Sequence, residues 1–120
     1  MAPSTQQRLA GYQRRYRELA AELADLGYIA AGSITQRSTR CGTPGCRCHA
    51  DPPQSHGPYW QWTTKVAGKT VTRRLTERQA ALYTEWTANN RKFRQLITQM
   101  REISDRATEL ILAADARAVD

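Results

Sequence analysis

Two segments with helical periodicity flank a central region of a different pattern. In the first, apolar residues recur at alternating spacings of three and four, on one helix face: Leu9, Tyr12, Tyr16, Leu19, Leu23 and Leu26. In the second segment, which contains no Gly or Pro, the same spacing continues over a longer stretch and forms a seam along the helix: Trp86, Asn89, Phe93, Leu96, Met100, Ile103, Ala107, Leu110 and Ala114. This heptad spacing is typical of helices that pack along a partner helix, and a polar member such as Asn89 commonly fixes their register. We predict helices from about Ser4 to Leu26 and from about Thr76 to Ala114.

Each predicted helix carries its own start signal. Ser4 with Gln7, and Thr76 with Gln79, have the spacing of a capping box, in which the two side chains satisfy backbone N–H groups at the helix start. Gly27 stands where the C-terminal cap of the first helix is expected.

The central region contains runs typical of strands. Residues 59–66 (YWQWTTKV) and 69–75 (KTVTRRL) are rich in β-branched and aromatic residues and are separated by Ala67-Gly68, which predicts a hairpin with a two-residue turn. Pairing Val66 with Lys69 gives one face toward the helices, formed by Trp60, Trp62, Val66, Val71 and Leu75. The other face, open to a partner, then carries Tyr59, Gln61, Lys65 and Arg74. Residues 28–35 (YIAAGSIT) are a candidate third strand.

All three cysteines lie within eight residues, at positions 41, 46 and 48. No stretch reaches the roughly 18 apolar residues of a membrane span, and the N-terminus lacks a secretory signal, so we expect a cytoplasmic protein. In the cytoplasm, an odd number of closely spaced cysteines fits metal ligation better than disulfide bonds. A turn at Thr43-Pro44-Gly45 would bring Cys41 back to Cys46. Three Cys and one His form a common closed zinc site, so we predict one structural Zn²⁺.

Two histidines compete for the fourth position. His49 adjoins Cys48, and adjacent ligands strain a tetrahedral site. His56 follows a Pro-containing loop and is free to fold back, so the favoured ligand set is Cys41, Cys46, Cys48 and His56. One alternative is three reduced cysteines without metal. Another is a Cys–His nucleophilic site, but Asp51 is the only nearby carboxylate and no oxyanion-hole motif is evident.

These features predict a mainly helical α+β fold, with two long heptad-patterned helices flanking a small zinc-stabilised β-hairpin insert. The parts are an N-terminal helix over 1–27, a zinc-ribbon-like insert over 28–75 and a C-terminal helix over 76–120. Placed side by side, the first helix would end opposite about position 99. The apolar residues of the seam from Met100 onward would then be exposed to water unless another helix packs against them. The same helix of a second copy of the chain is the simplest partner, so we expect a homodimer.

The net charge of +7 is concentrated in the insert. Residues 31–75 carry seven basic residues against Asp51, a net charge of +6. This favours an anionic partner, nucleic acid first, over a basic surface that serves solubility alone. No recognition-helix pattern is present, so we expect contacts to phosphates more than to bases. The candidate contact residues are Arg37, Arg40, Arg47, Lys65, Lys69 and Arg74.

The sequence thus favours a non-catalytic zinc protein that binds or associates with nucleic acid, DNA rather than RNA. It suggests neither a small-molecule substrate nor a membrane partner. The first alternative is a protein–protein adaptor that docks through its zinc ribbon or long helix. A zinc or thiol enzyme is the second, and it would need an open coordination position or a thiol of low pKa.

The central motif also resembles a known family. The run GSIT, CG, three residues, C-x-C, HGPY with an aromatic residue, and GKTVTR is similar to a widespread group of small prokaryotic proteins with a domain of unknown function. The resemblance covers about Gly32 to Leu75. It implies that Cys41, Cys46, Cys48 and His56 belong to the family motif, together with Gly57, Pro58 and Tyr59, and that position 49 is variable. It implies no reaction, and an association with mobile-element neighbourhoods hints at DNA.

Overall fold

The computed structural model describes residues 2–119 and contains two α-helices and one three-stranded antiparallel sheet. A single 3-10 turn at Arg47–His49 lies between the first two strands. The helices and strands follow the order α1 (Thr5–Ala24), β1 (Ser33–Thr39), β2 (His56–Val66), β3 (Lys69–Leu75) and α2 (Glu77–Val119). Within the described residues, no helix has the length and apolar character needed to cross a membrane.

Both predicted capping boxes are present. Ser4 and Gln7 exchange side-chain to backbone hydrogen bonds at 2.8 and 3.1 Å, and Thr76 and Gln79 do the same at 2.9 and 3.1 Å. Both helix starts are therefore fixed by local chemistry. The expected C-terminal cap at Gly27 is wrong, because α1 ends at Ala24 and Asp25 caps it in an ordinary right-handed conformation.

The chain forms two compact units. Unit 1 contains the residues up to Gly27 and those from Arg91 onward, and unit 2 spans Tyr28–Asn90. Helix α2 therefore contributes its first part to one unit and its remainder to the other.

In unit 1, α1 and the second part of α2 pack side by side. Leu19 and Leu96 are almost completely buried there, and Lys92 forms an ion pair with Glu22 at 3.5 Å. An apolar groove of about 520 Å³ is lined by residues of both helices, including Leu9, Tyr12, Tyr16, Ile103, Ala107 and Ile111. The expectation that α1 ends opposite position 99 is therefore wrong. Because the first part of α2 packs in unit 2, α1 lies further along α2 and reaches Ile111.

Unit 2 contains the sheet, in the order β1-β2-β3. The predicted hairpin register is confirmed, because Val66 pairs with Lys69 and the pairing continues to Trp60 and Leu75. Ala67 and Gly68 both have positive φ, 51° and 78°, as in the type I′ turn that matches strand twist.

The third strand lies later in the chain than expected. β1 covers Ser33–Thr39, so only the end of the candidate segment 28–35 is extended in the sheet. The earlier residues bind elsewhere in unit 2. The carbonyl of Tyr28 accepts a hydrogen bond from the Asn89 amide, and the Ala31 carbonyl accepts one from the Trp62 indole, both at 2.8 Å. Asn89 thus anchors the chain that leads to β1.

One face of the sheet packs against α2 through aromatic residues. Trp62 lies 4.9 Å from Tyr83 between ring centroids, and Tyr83 lies 5.0 Å from Trp86. Leu75, at the end of β3, and Ala80, in the first turn of α2, are also buried. The predicted apolar face is thus covered at these positions, whereas Val66 and Val71 near the hairpin turn are exposed, at 57% and 40%.

Candidate metal centre

The segment between β1 and β2 folds into two successive turns that carry the cysteines. The Cys46 N–H donates to the Thr43 carbonyl at 3.1 Å, which closes the predicted turn through Pro44-Gly45. The 3-10 turn Arg47–His49 follows and places Cys48 in the interior, where it is fully buried. Glycine and proline suit this path because it reverses direction within a few residues.

Four ligand atoms meet at this point. The thiol sulfurs and a histidine nitrogen of Cys41, Cys46, Cys48 and His56 all lie within 4.8 Å of one another. The Cys41 and Cys48 sulfurs are 3.6 Å apart, and the Cys46 sulfur is 3.2 Å from His56 Nε2. A tetrahedral zinc with Zn–S bonds of about 2.3 Å would separate two sulfurs by roughly 3.8 Å. The cluster can therefore hold a metal ion, and its donors and spacing are consistent with zinc.

The two histidines take different positions. His56, the favoured ligand, lies in the cluster. The Nε2 of His49 instead donates a hydrogen bond to the Cys41 carbonyl oxygen at 2.5 Å. His49 thus ties the 3-10 turn to the start of the loop. No sequence pattern predicted this contact, because the residue adjacent to Cys48 could equally have turned toward solvent.

A β-bulge separates His56 from the regular part of β2. Arg37 pairs with Tyr59 and Thr39 pairs with His56, so β2 contains one extra residue in this interval. Bulges re-aim side chains next to sites. Gly57 lies in the bulge with φ 103°, and a Cβ there would be 2.8 Å from the Arg37 carbonyl oxygen. Only glycine can adopt this positive φ and lie this close to the carbonyl oxygen without strain.

The local electrostatics favour a thiolate at one cysteine. A hydrogen bond from the Thr43 backbone, followed by bonds from His56, Cys46 and Cys48, lowers the pKa of Cys41 from 9.0 to about 6. Desolvation by burial raises the pKa of Cys48. A bound cation would offset that cost, because a metal ion holds its thiol ligands deprotonated.

The predicted nucleic-acid contacts do not form one cluster. Cross-strand partners share a face, so Arg37, Lys65 and Arg74 lie on the sheet face opposite α2. Lys69 lies on the other face, at the hairpin turn. The remaining two, Arg40 and Arg47, are exposed in the loop that carries the cysteines.

One contact on the sheet was not predicted. The Arg74 guanidinium lies 4.0 Å from the centre of the Tyr59 ring, a cation–π distance. The register already placed both residues on one face, but the diagonal approach across the strands depends on sheet twist, which the sequence pattern does not encode.

Comparison with known proteins places these residues in a family. Searches among curated proteins and among solved structures each found no match. The family profile described as "Domain of unknown function (DUF6788)" matches residues 9–87, which include most of α1, the whole cysteine segment, the sheet and the start of α2. Because the match covers well over half of the chain, the protein belongs to the DUF6788 family.

Proposed function

We propose that the protein is a non-catalytic zinc protein that binds nucleic acid, DNA in the first place, through the basic residues of its central insert. The observation that carries the proposal is the charge of the strands. β1, β2 and β3 together contain five Lys or Arg residues and no Asp or Glu. The mobile-element association implied by the resemblance agrees with a DNA partner.

Zinc has a structural role in this proposal. Three thiolates and one imidazole are the soft and borderline donors that zinc prefers, and four protein ligands leave no position for a substrate. The ion would hold Arg40 and Arg47 in fixed positions beside the end of the sheet. With three thiolates bound, a Zn²⁺ site contributes about −1, so the insert remains strongly basic.

A salt series tests the proposal. Purified zinc-loaded protein is titrated into fluorescent single- and double-stranded DNA and RNA, from low to physiological salt. We expect strong salt dependence, since each phosphate contact adds about 0.7 to 0.9 to the slope of log affinity against log salt. Replacing Lys69 and Arg74 by Glu should weaken binding to all sequences alike. The matched control, Arg101→Glu with Arg106→Glu, reverses two exposed charges of unit 1. Equal loss in both variants, or no binding at low salt, would refute the proposal.

The apolar groove of unit 1 favours a second property, self-association. Tyr16, Ile111 and Leu112 are exposed at 38%, 51% and 67%, and the first two line the groove. A two-helix unit leaves such residues in water unless a further helix covers them. A second copy supplies the same surface, so a two-fold contact would cover both grooves at once. Docking of a different protein, as in an adaptor, is the competing outcome.

A further inference from the structure

The face of the sheet opposite α2, here called the open face, consists entirely of polar side chains. Its ten residues, taken from the strand register, are Ser33, Thr35, Arg37, Tyr59, Gln61, Thr63, Lys65, Thr70, Thr72 and Arg74. None is acidic, and every one is exposed or half-buried. An apolar partner would find little to bury here, whereas an anionic polymer would meet charge and hydrogen-bond donors across the whole face.

The basic residues of the open face are free of ion pairs within the described residues. The two ion pairs found there, Arg15 with Glu18 and Lys92 with Glu22, both lie in unit 1. Arg37 and Arg74 therefore carry positive charge with no carboxylate partner among residues 2–119. A phosphate group would be the first anion to neutralise them.

Arg74 is already ordered by Tyr59. Its guanidinium lies over the ring at 4.0 Å, so part of the rotamer entropy lost on binding is already lost in the free protein. Arg37 is paired with Tyr59 on the opposite side, from β1. Arg37 on β1 and Arg74 on β3 thus lie on the two strands on either side of Tyr59 in β2. Since Arg74 covers that ring, a base would stack on the guanidinium plane, a mode known for single strands.

The shape of the face favours a single strand over a duplex. From Tyr59 to Lys65 it is about 20 Å long at roughly 3.3 Å per residue. The DNA major groove admits an α-helix or a two-stranded ribbon, and a three-stranded sheet with α2 on its other side is broader than either. An extended strand can instead lie across the face, with its phosphates at Arg37, Arg74 and Lys65 and its bases near the uncharged hydroxyl and amide groups.

We propose that the open face binds single-stranded nucleic acid, with Arg37 and Arg74 on its phosphates and Tyr59 as the residue that positions Arg74. This inference rests on the proposed function and goes further, because it assigns the contact to one face of the sheet and to one form of the polymer. Lys69 and the cysteine loop then have at most a supporting role.

Fluorescence anisotropy with three probes tests the inference: a dT 15-mer, a rU 15-mer and a 15-base-pair DNA duplex. Wild type should bind the single strands more tightly than the duplex, and the two 15-mers together tell whether deoxyribose or ribose is preferred. Arg37→Gln with Arg74→Gln should lower the affinity for the single strands roughly 10- to 100-fold. The slope of log affinity against log salt should decrease in magnitude by about 1.4, which corresponds to two phosphate contacts at about 0.7 each. The matched control, Arg73→Gln with Arg78→Gln, removes two charges from unit 2 outside the open face and should stay close to wild type.

The positioning role of Tyr59 has its own test. Tyr59→Leu should weaken single-strand binding, and combining it with Arg74→Gln should add little further loss, because the tyrosine acts through the arginine. Zinc content and thermal melting should match wild type in every variant compared. Equal losses in the open-face and control variants, additive losses at Tyr59 and Arg74, or tighter binding of the duplex would each overturn the inference while the proposed function stands. If wild type binds none of the probes at low salt, both fail.

Discussion

Gly57 lies in the bulge between the sheet and the candidate metal centre, and its replacement by alanine gives a quantitative test of whether this bulge positions His56. At φ 103° a residue with a Cβ is strained, and the added carbon would lie 2.8 Å from the Arg37 carbonyl oxygen and 3.1 Å from the Tyr59 nitrogen. Backbone strain of this kind costs about 1–3 kcal/mol. If the bulge relieves this strain by moving His56 away from the other ligands, zinc binding becomes weaker by the same free energy, which corresponds to roughly 5- to 150-fold in affinity.

The assay is competition for zinc against a chromophoric chelator, with thermal unfolding of the zinc-loaded protein alongside. Gly42→Ala and Gly45→Ala are the matched controls, because a Cβ at either position meets nothing within 4 Å and neither has positive φ. Both should be neutral or slightly stabilising, since alanine restricts the unfolded chain. If Gly57→Ala binds zinc as tightly as these controls, the bulge does not position His56 and the reasoning fails.

Three further predictions follow from the same structure. Cys46→Ser should lower zinc content well below one ion per chain, whereas His49→Ala should retain zinc, as measured by elemental analysis; the reverse order would contradict the ligand assignment. Because the pKa of Cys41 in the folded loop is lowered from 9.0 to about 6, its thiolate favours the folded, metal-binding loop above pH 9, and this contribution should be lost as the pH falls toward 6. Competition for zinc against the chelator should therefore show weaker zinc binding at pH 6 than at pH 9, and a zinc affinity that does not change with pH would contradict this reasoning. Sedimentation should show a dimer that Ile111→Asp with Leu112→Asp converts to a monomer with zinc retained. A wild type that is monomeric at tens of micromolar would contradict self-association and indicate that the groove binds a different protein.

The features that the sequence predicted well are those set by neighbouring residues. The capping boxes need only side chains three positions apart, and the hairpin register follows from a two-residue turn between alternating runs. The clustering of the three cysteines with His56 could also be predicted from the sequence, because short loops rich in glycine and proline leave few other arrangements of these residues.

The features that the sequence missed depend on competition between distant partners. Nothing in the uninterrupted seam of α2 shows that it leaves the sheet unit near Asn90 and joins α1 afterwards. That division decides how much of the seam α1 covers, and the side-by-side estimate failed for this reason. The segment 28–35 likewise has strand propensity throughout, but Tyr28 is held by Asn89 and only its last residues enter the sheet.

A bound metal would have a further consequence, because the loop from Arg40 to Ser55 has almost no core of its own. Cys48 is its one buried residue. Burying one side chain is worth about 1.5–3 kcal/mol, whereas ordering each residue costs about 1–2 kcal/mol, so apolar burial cannot hold sixteen residues in place. Metal binding to such sites is worth about 10–16 kcal/mol, several times the contribution of the single buried side chain.

Chelation should therefore disorder this loop and leave unit 1 folded. Unit 1 keeps its own buried pair, Leu19 and Leu96, and contains no residue of the cluster. Hydrogen exchange with and without chelator is the measurement: amides of residues 40–55 should lose protection on zinc removal, while those near Leu19 and Leu96 should keep theirs. Protection of the loop that survives complete metal removal would show that its turns are stable without an ion. The cluster would then be a set of reduced thiols, and a metal would not be what orders the basic loop.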